Sequence, residues 1–174
     1  MNKKALFIIP PENFNEVELF HPKSILENSN IAVTIASTKI GEIVGNYQGK
    51  IKSEVIFSDV PANNYDIVAV IGGTGTIDHL WGNEELIKYL KQAYDEKVLV
   101  TGICAGSVSI VETGLLSGRK ATCYPINEMI NKLKVNNVEY IVQPVVIHED
   151  IITSDGPDGA GEFGRSLVEA ITNS

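Results

Sequence analysis

VLVTGICAGSVSIVETG, residues 98–114, is the stretch on which the fold turns. It opens as an apolar run of the length and composition of a strand buried on both faces. A segment of helical period follows Cys104 directly and is expected to stop at Gly114. Between them, Gly102-Ile103-Cys104-Ala105-Gly106 has the pattern glycine, any residue, nucleophile, any residue, glycine, with cysteine where many enzymes carry serine. Each glycine has a physical reason. A nucleophile on so sharp a strand-to-helix turn is forced into a strained backbone conformation, and side chains two positions before or after it would strike the neighbouring chain. The turn also sets the sulfur at a helix N-terminus, where free amides and the dipole favour a thiolate, so a lowered pKa is expected. Taken alone, a cysteine is ordinarily an inert packed thiol; strand, elbow and helix together make Cys104 the candidate nucleophile.

The elbow strand is one of several short runs rich in Val and Ile, at 4–9, 31–36, 66–71 and 98–103, that alternate with segments of helical period. These segments lie at 16–27, 83–96, 106–114, 125–134 and 160–172. Such alternation argues an α/β fold with a mostly parallel sheet covered by helices on both faces. Two stretches break the rhythm, 42–57 and 138–154, and each reads as a small antiparallel hairpin or an edge addition. With no internal repeat and no linker longer than a loop, the chain reads as one domain over 1–174.

The strand at 66–71 runs into Gly72-Gly73-Thr74-Gly75-Thr76. Ligands of open α/β sheets bind beyond the carboxyl ends of the strands, so this glycine turn and the Cys104 elbow should face one crevice. There the backbone amides of Gly73 and Ala105 are candidates for an oxyanion site. The plainer reading of the glycines is a flexible turn. As a nucleotide motif the segment fails, because it has neither the dinucleotide glycine spacing nor a P-loop lysine.

Composition narrows the partners. The 174 residues are 44% hydrophobic, 21% charged and 7% aromatic, the make-up of an ordinary globular domain. Fourteen Lys and Arg against 22 Asp and Glu leave a net charge of −8, which repels nucleic acid and anionic membranes. Two cysteines, Cys104 and Cys123, make no disulfide framework, and a reducing cytoplasm is the expected compartment. The opening Met1-Asn2-Lys3-Lys4 imitates the start of a signal peptide, but its apolar run ends at Pro10-Pro11 and reads better as a first buried strand. No apolar stretch approaches the ~20 residues that span a bilayer. No residue cluster has metal-ligand spacing, and neither metal nor cofactor is expected.

Several segments, in this order, resemble the ThiJ/PfpI superfamily: the opening strand, Glu16-Val17-Glu18-Leu19-Phe20-His21-Pro22, Ile71-Gly72-Gly73, the Cys104 elbow, Lys120-Ala121-Thr122-Cys123-Tyr124-Pro125, and Thr153-Ser154-Asp155-Gly156-Pro157. The resemblance covers about residues 3 to 172. It implies a flavodoxin-like three-layer α/β/α sandwich and a homodimer, commonly with the first helix near the interface. It also implies a role for the glutamate four residues before the first-helix proline, which in that family points at the reactive cysteine and shares a proton with it. Glu18 holds that place here. A carboxyl desolvated against a thiolate should have a raised pKa and remain able to donate to the sulfur or to move a substrate proton. Its neighbour Glu16 reads as a solvated surface residue.

The chain departs from the family where its hydrolase and glyoxalase-like members usually carry a histidine, directly after the cysteine or before the later proline; Ala105 and Tyr124 stand there. Tyr124 could hydrogen-bond a carbonyl or simply form an amphipathic pocket wall, but its ordinary pKa near ~10 makes it a poor base at neutral pH. Of the three histidines, His21, His79 and His148, only His79 is placed near the crevice mouth. His148-Glu149 lacks the two-residue spacing that would turn both side chains to one face of a strand. Cys123 reads as a packed thiol. The resemblance therefore implies a cofactor-free cysteine enzyme of glyoxalase or deglycase type acting on small α-oxoaldehydes such as methylglyoxal. An oxidation-sensing stress protein built on Cys104 is the main alternative and a peptidase or amidase the third.

Overall fold

Val, Ile and Ala fill the expected strand runs, and in the computed structural model, which describes residues 2–173, those runs form the centre of one sheet. The outermost residues of the domain read from the sequence, Met1 and Ser174, lie outside the described residues. In chain order the elements are β1 (Lys4–Ile8), α1 (Glu16–Asn28), β2 (Ala32–Ser37), β3 (Gly41–Val44), β4 (Lys50–Ser53), β5 (Val55–Ile56), β6 (Ile67–Val70), α2 (Glu84–Asp95) and β7 (Leu99–Ile103). They continue through α3 (Ala105–Val111), β8 (Lys120–Ala121), α4 (Asn127–Val135), β9 (Glu139–Tyr140), β10 (Val145–His148), β11 (Ile151–Ser154) and α5 (Ala160–Thr172).

Seven strands pair in the order β10-β11-β7-β6-β1-β2-β5. All neighbours are parallel except β10 and β11, which are antiparallel. Helices flank the sheet, with α1 packed on α5 and α3 packed on α2 and α4. This is the flavodoxin-like α/β sandwich expected. Every residue of β6 and β11 is buried, as parallel strands covered on both sides must be.

The chain leaves β1 toward β2 on one side, then returns to place β6 on the other side of β1. That reversal opens a crevice outside the carboxyl ends of β1 and β6, and such a switch point is where α/β sheets bind ligands. The segments that fill it are 9–15 after β1, 71–75 after β6 and the elbow after β7.

Both irregular stretches differ in part from expectation. Residues 42–57 hold the expected hairpin, β3 against β4, followed by the short edge strand β5. Residues 138–154 hold the hairpin β10–β11, but β11 is no edge: it pairs in parallel with β7 and covers the strand of the elbow. Two local differences accompany these. The helix after Cys104 ends at Val111 rather than Gly114, because the Thr113 hydroxyl and the Gly114 amide turn back onto the carbonyls of Ile110 and Val111. The glycine turn at 72–76 continues into a single π-helical turn, Thr76–Leu80.

Candidate active site

Cys104 sits between β7 and α3 with φ 59° and ψ −122°, a strained conformation for a residue with a side chain. Its amide donates to the Ser154 carbonyl at 2.9 Å, and the Ser107 hydroxyl lies 3.0 Å from the Gly102 carbonyl oxygen and 2.9 Å from that of Ser154. The elbow is thus tied to β11 on one side. On the other it lies against β6: a Cβ on Gly106 would come within 2.0 Å of the Val70 carbonyl oxygen, and one on Gly102 within 2.5 Å of the Gly106 carbonyl oxygen. These are the collisions that the two elbow glycines avoid.

Glu18 reaches the same point from α1. Asn15 caps that helix, its side-chain oxygen accepting the Glu18 amide at 3.0 Å, and the Asn15 amide in turn donates to the Gly72 carbonyl at 3.0 Å. Pro22, one turn on, has no amide to give the Glu18 carbonyl. The Glu18 carboxyl is 1% exposed; it accepts the Gly72 amide at 2.9 Å and hydrogen-bonds the Cys104 sulfur. Gly72 leaves room for this, since a Cβ there would lie 2.4 Å from Glu18 Oε1 and 3.0 Å from the Cys104 Cβ.

Burial pushes the Glu18 carboxyl up from an ordinary 4.5 to about 8, against the lowering effect of its bonds to Cys104 and Gly72. The Cys104 thiol, 8% exposed, is also pushed up, first by burial and then by the nearby Glu18 charge, while the Ala105 amide pulls it down. This corrects the expectation of a thiol simply lowered by its helix. The desolvation of a sulfur inside the crevice outweighs one short helix terminus. Two acids in contact titrate as a pair; burial holds the thiol above the carboxyl, so the first charge lies mainly on Glu18 and opposes ionisation of the sulfur.

The pair opens on a cavity of about 440 Å³ that Gly73, Ala105 and Tyr124 also line, so the structure brings all five candidate residues together. Gly73 takes φ +121°, and the Tyr124 ring, 41% exposed, packs over Gly156. Asn15, Asn46, Tyr47, Thr74 and the apolar Ile77, Ile126, Met129 and Pro157 complete the wall. Another hollow, of about 490 Å³, lies at the opposite, amino-terminal edge of the sheet beside Lys3, Asp66 and Leu99, far from any nucleophile.

Other candidates fall elsewhere. His79 does not line the cavity; its Nε2 pairs at the surface with Glu12, in the 9–15 segment of the crevice, at 2.8 Å. The Nδ1 of His148 accepts the Lys120 amide at 2.7 Å, and His21 lies against α5 at Gly161. Cys123 is a buried free thiol whose pKa burial and Asp155 raise to about 12, as suits packing rather than chemistry. Glu16 is not a solvated bystander. Its Oε2 accepts the amides of Tyr47 at 2.7 Å and Gly49 at 2.9 Å, fastening the β3–β4 loop beside the cavity.

Four contributors went unread in the sequence. Asn15 was within reach, because Asn15 followed three residues later by Glu18 is a helix-start pattern. Asn46 and Thr74 exchange two hydrogen bonds across the rim, at 2.7 and 3.2 Å, and the Trp81 indole donates to the Ala105 carbonyl at 2.8 Å. Those contacts join distant segments and leave no local signal.

Comparison with known proteins identifies relatives of the chain. The family model described as DJ-1/PfpI matches residues 3–170. An uncharacterized protein of Methanocaldococcus jannaschii is 36% identical over 170 residues, covering 98% of this chain and 83% of the relative. A protein named glutathione-independent glyoxalase from Caenorhabditis elegans is 27% identical over 169 residues, covering 97% and 89%. The crystal structure of a ThiJ/PfpI domain protein from Brachyspira murdochii superposes with a TM-score of 0.94 at 26% identity, covering 100% of this chain and 99% of that one. Fold, elbow and sequence converge: the chain belongs to the DJ-1/PfpI family.

Proposed function

We propose that the protein is a cofactor-free, glyoxalase-type enzyme that converts small α-oxoaldehydes, with methylglyoxal as the reference substrate, into 2-hydroxy acids. The observation that carries this reading is the buried hydrogen bond between Glu18 and Cys104 at the floor of an open cavity. The Cys104 sulfur adds to the aldehyde carbon and the carbonyl oxygen takes up a proton, giving a hemithioacetal. Glu18 removes the hydrogen on that carbon and returns a proton to the neighbouring one, turning the ketone into a hydroxyl and the first carbon into a thioester. Water then releases the hydroxy acid and restores the thiol. A carboxyl whose pKa lies near the working pH suits both halves of that transfer. The amides of Gly73 and Ala105 are read as donors to the substrate oxygen, and Tyr124 as a wall that can bond a second carbonyl.

Lactate formation from methylglyoxal, at neutral pH without glutathione, tests the reading. Turnover is expected from the native protein and none from Cys104→Ala; a folded, reduced native protein without turnover overturns it. One observation favours a second reading, oxidation sensing: none of the three histidines lines the cavity, and a sulfenic or sulfinic acid on Cys104 would need only the Ala105 amide and Glu18 as partners. Under that reading mild peroxide adds two oxygens at Cys104 alone. Peptide hydrolysis finds no histidine in the cavity to take the thiol proton and pass it to a leaving amine, and ranks third. We also read the chain as a cytoplasmic homodimer. Two unpaired thiols suit a reducing compartment, and Val17 and Phe20 on α1 leave apolar surface for a second copy, to be checked by the particle mass in solution. Among the described residues no helix is long and apolar enough to cross a membrane.

A further inference from the structure

The wall of the Cys104 cavity carries more information than a three-carbon substrate uses. At about 440 Å³ it lies in the range that encloses drug-sized molecules, several times the bulk of methylglyoxal. Besides the polar rim of Asn46 and Thr74, the wall carries the apolar Ile77, Ile126 and Met129. Ile126 keeps more than a third of its surface exposed although it lines the cavity, so it has apolar area left to cover. Among the described residues Glu18 is the only carboxyl in the lining, and no Lys, Arg or His joins it to balance an anionic substrate. The chain around it carries a net charge of −8.

Resting on the α-oxoaldehyde reading, we propose that the site selects neutral α-oxoaldehydes whose ketone carbon bears an apolar chain of about three or more carbons, seated against Ile126 and Met129. The chemistry is that of the reference substrate: the aldehyde carbon meets Cys104, water is consumed, and the chain rides unchanged into the 2-hydroxy acid. Each methylene that leaves water is worth up to about fourfold in the specificity ratio. A carboxylate at the end of the same chain would instead be desolvated beside Glu18 without a counter-charge.

The test compares kcat/KM for methylglyoxal, 2-oxohexanal and 4,5-dioxopentanoate at pH 7. The neutral six-carbon aldehyde is expected to exceed methylglyoxal at least tenfold, and the acid to fall at or below it. In Ile126→Asp the ratio of 2-oxohexanal to methylglyoxal should drop at least fivefold; Met129→Gln, milder toward folding, should lower the same ratio. Turnover of all three at equal efficiency, or a preference for the acid, overturns the inference while leaving the enzyme reading intact. Should no aldehyde turn over, the enzyme reading fails by itself. The apolar seat is then read by alkylation of Cys104 with iodoacetamide, N-butyl iodoacetamide and iodoacetate, each relative to glutathione and with Cys104→Ala as blank. The butyl reagent should lead the parent amide at least fivefold and iodoacetate should trail it; equal rates overturn the seat.

Discussion

At the scale of single residues the site is a proton held between two acids that burial makes reluctant to ionise. Glu18 binds its proton more tightly in the folded chain, at about 8, than in an unfolded one near 4.5. Its contribution to stability is therefore fully present below about 4.5 and is lost as pH rises through about 8. Glu18→Gln removes that dependence. The variant should be more stable than the native protein at pH 9 and show a smaller advantage or none at pH 5, by up to a few kcal/mol in urea unfolding. The Glu18 charge is one of the causes that hold the Cys104 thiol up, so removing it should move the alkylation midpoint of Cys104 to lower pH. An identical stability slope in native and variant protein would show that Glu18 is ionised in the folded state at neutral pH. An unchanged alkylation midpoint would uncouple it from the sulfur.

Among the elements, α1 carries the greatest consequence for its length, because its first turn aims Glu18. Asn15 both caps the helix and hands its own amide to Gly72, so one side chain and one backbone group fix where the carboxyl arrives. Asn15→Ala should cost about 1 kcal/mol of stability, the ordinary worth of a cap. A carboxyl no longer aimed at the sulfur stops holding the thiol up, so Cys104 reactivity should rise, about twofold or more at pH 8, in iodoacetamide kinetics on protein shown to be folded. Reactivity unchanged at the lower stability would mean that the sheet, and not the cap, sets the carboxyl. The elements also show which parts of the site the sequence made readable. The elbow was legible because a nucleophile turn is a local constraint met by local residues, Gly102 and Gly106. Glu18 was legible only through its spacing to Pro22 within a resemblance. The hairpin at 138–154 was legible, but not which of its strands joins the sheet: Ile151–Ser154 and Val145–His148 carry the same kind of apolar run, and pairing across the sheet, not composition, decides which of them lies beside β7. His79 pairs with Glu12, a partner 67 positions away that no local pattern reveals.

For the molecule as a whole, the cavity is where the carboxyl ends of separate strands converge, so damage to it divides by whether a neighbour can yield. Gly106 and Gly72 both lie where the end of β6 meets the elbow, and they separate the two cases. A methyl at Gly106 meets the Val70 carbonyl oxygen at 2.0 Å and its carbon at 2.6 Å, backbone of the sheet's central strand β6, which cannot retreat without breaking pairs with β1 and β7. A methyl at Gly72 meets first the Glu18 carboxyl oxygen, the far end of a side chain, which can swing away if it gives up its bond to the Gly72 amide. Gly106→Ala should therefore lose roughly 3 kcal/mol or more and unfold the whole sheet in one transition. Gly72→Ala should lose about 1–2 kcal/mol, keep the fold, and shift the Cys104 alkylation curve as Glu18→Gln does. Urea midpoints beside iodoacetamide rates for the two variants decide it. A Gly106→Ala protein near native stability would mean that α3 can stand off β6, and the elbow would then be a flexible attachment rather than part of the sheet's core.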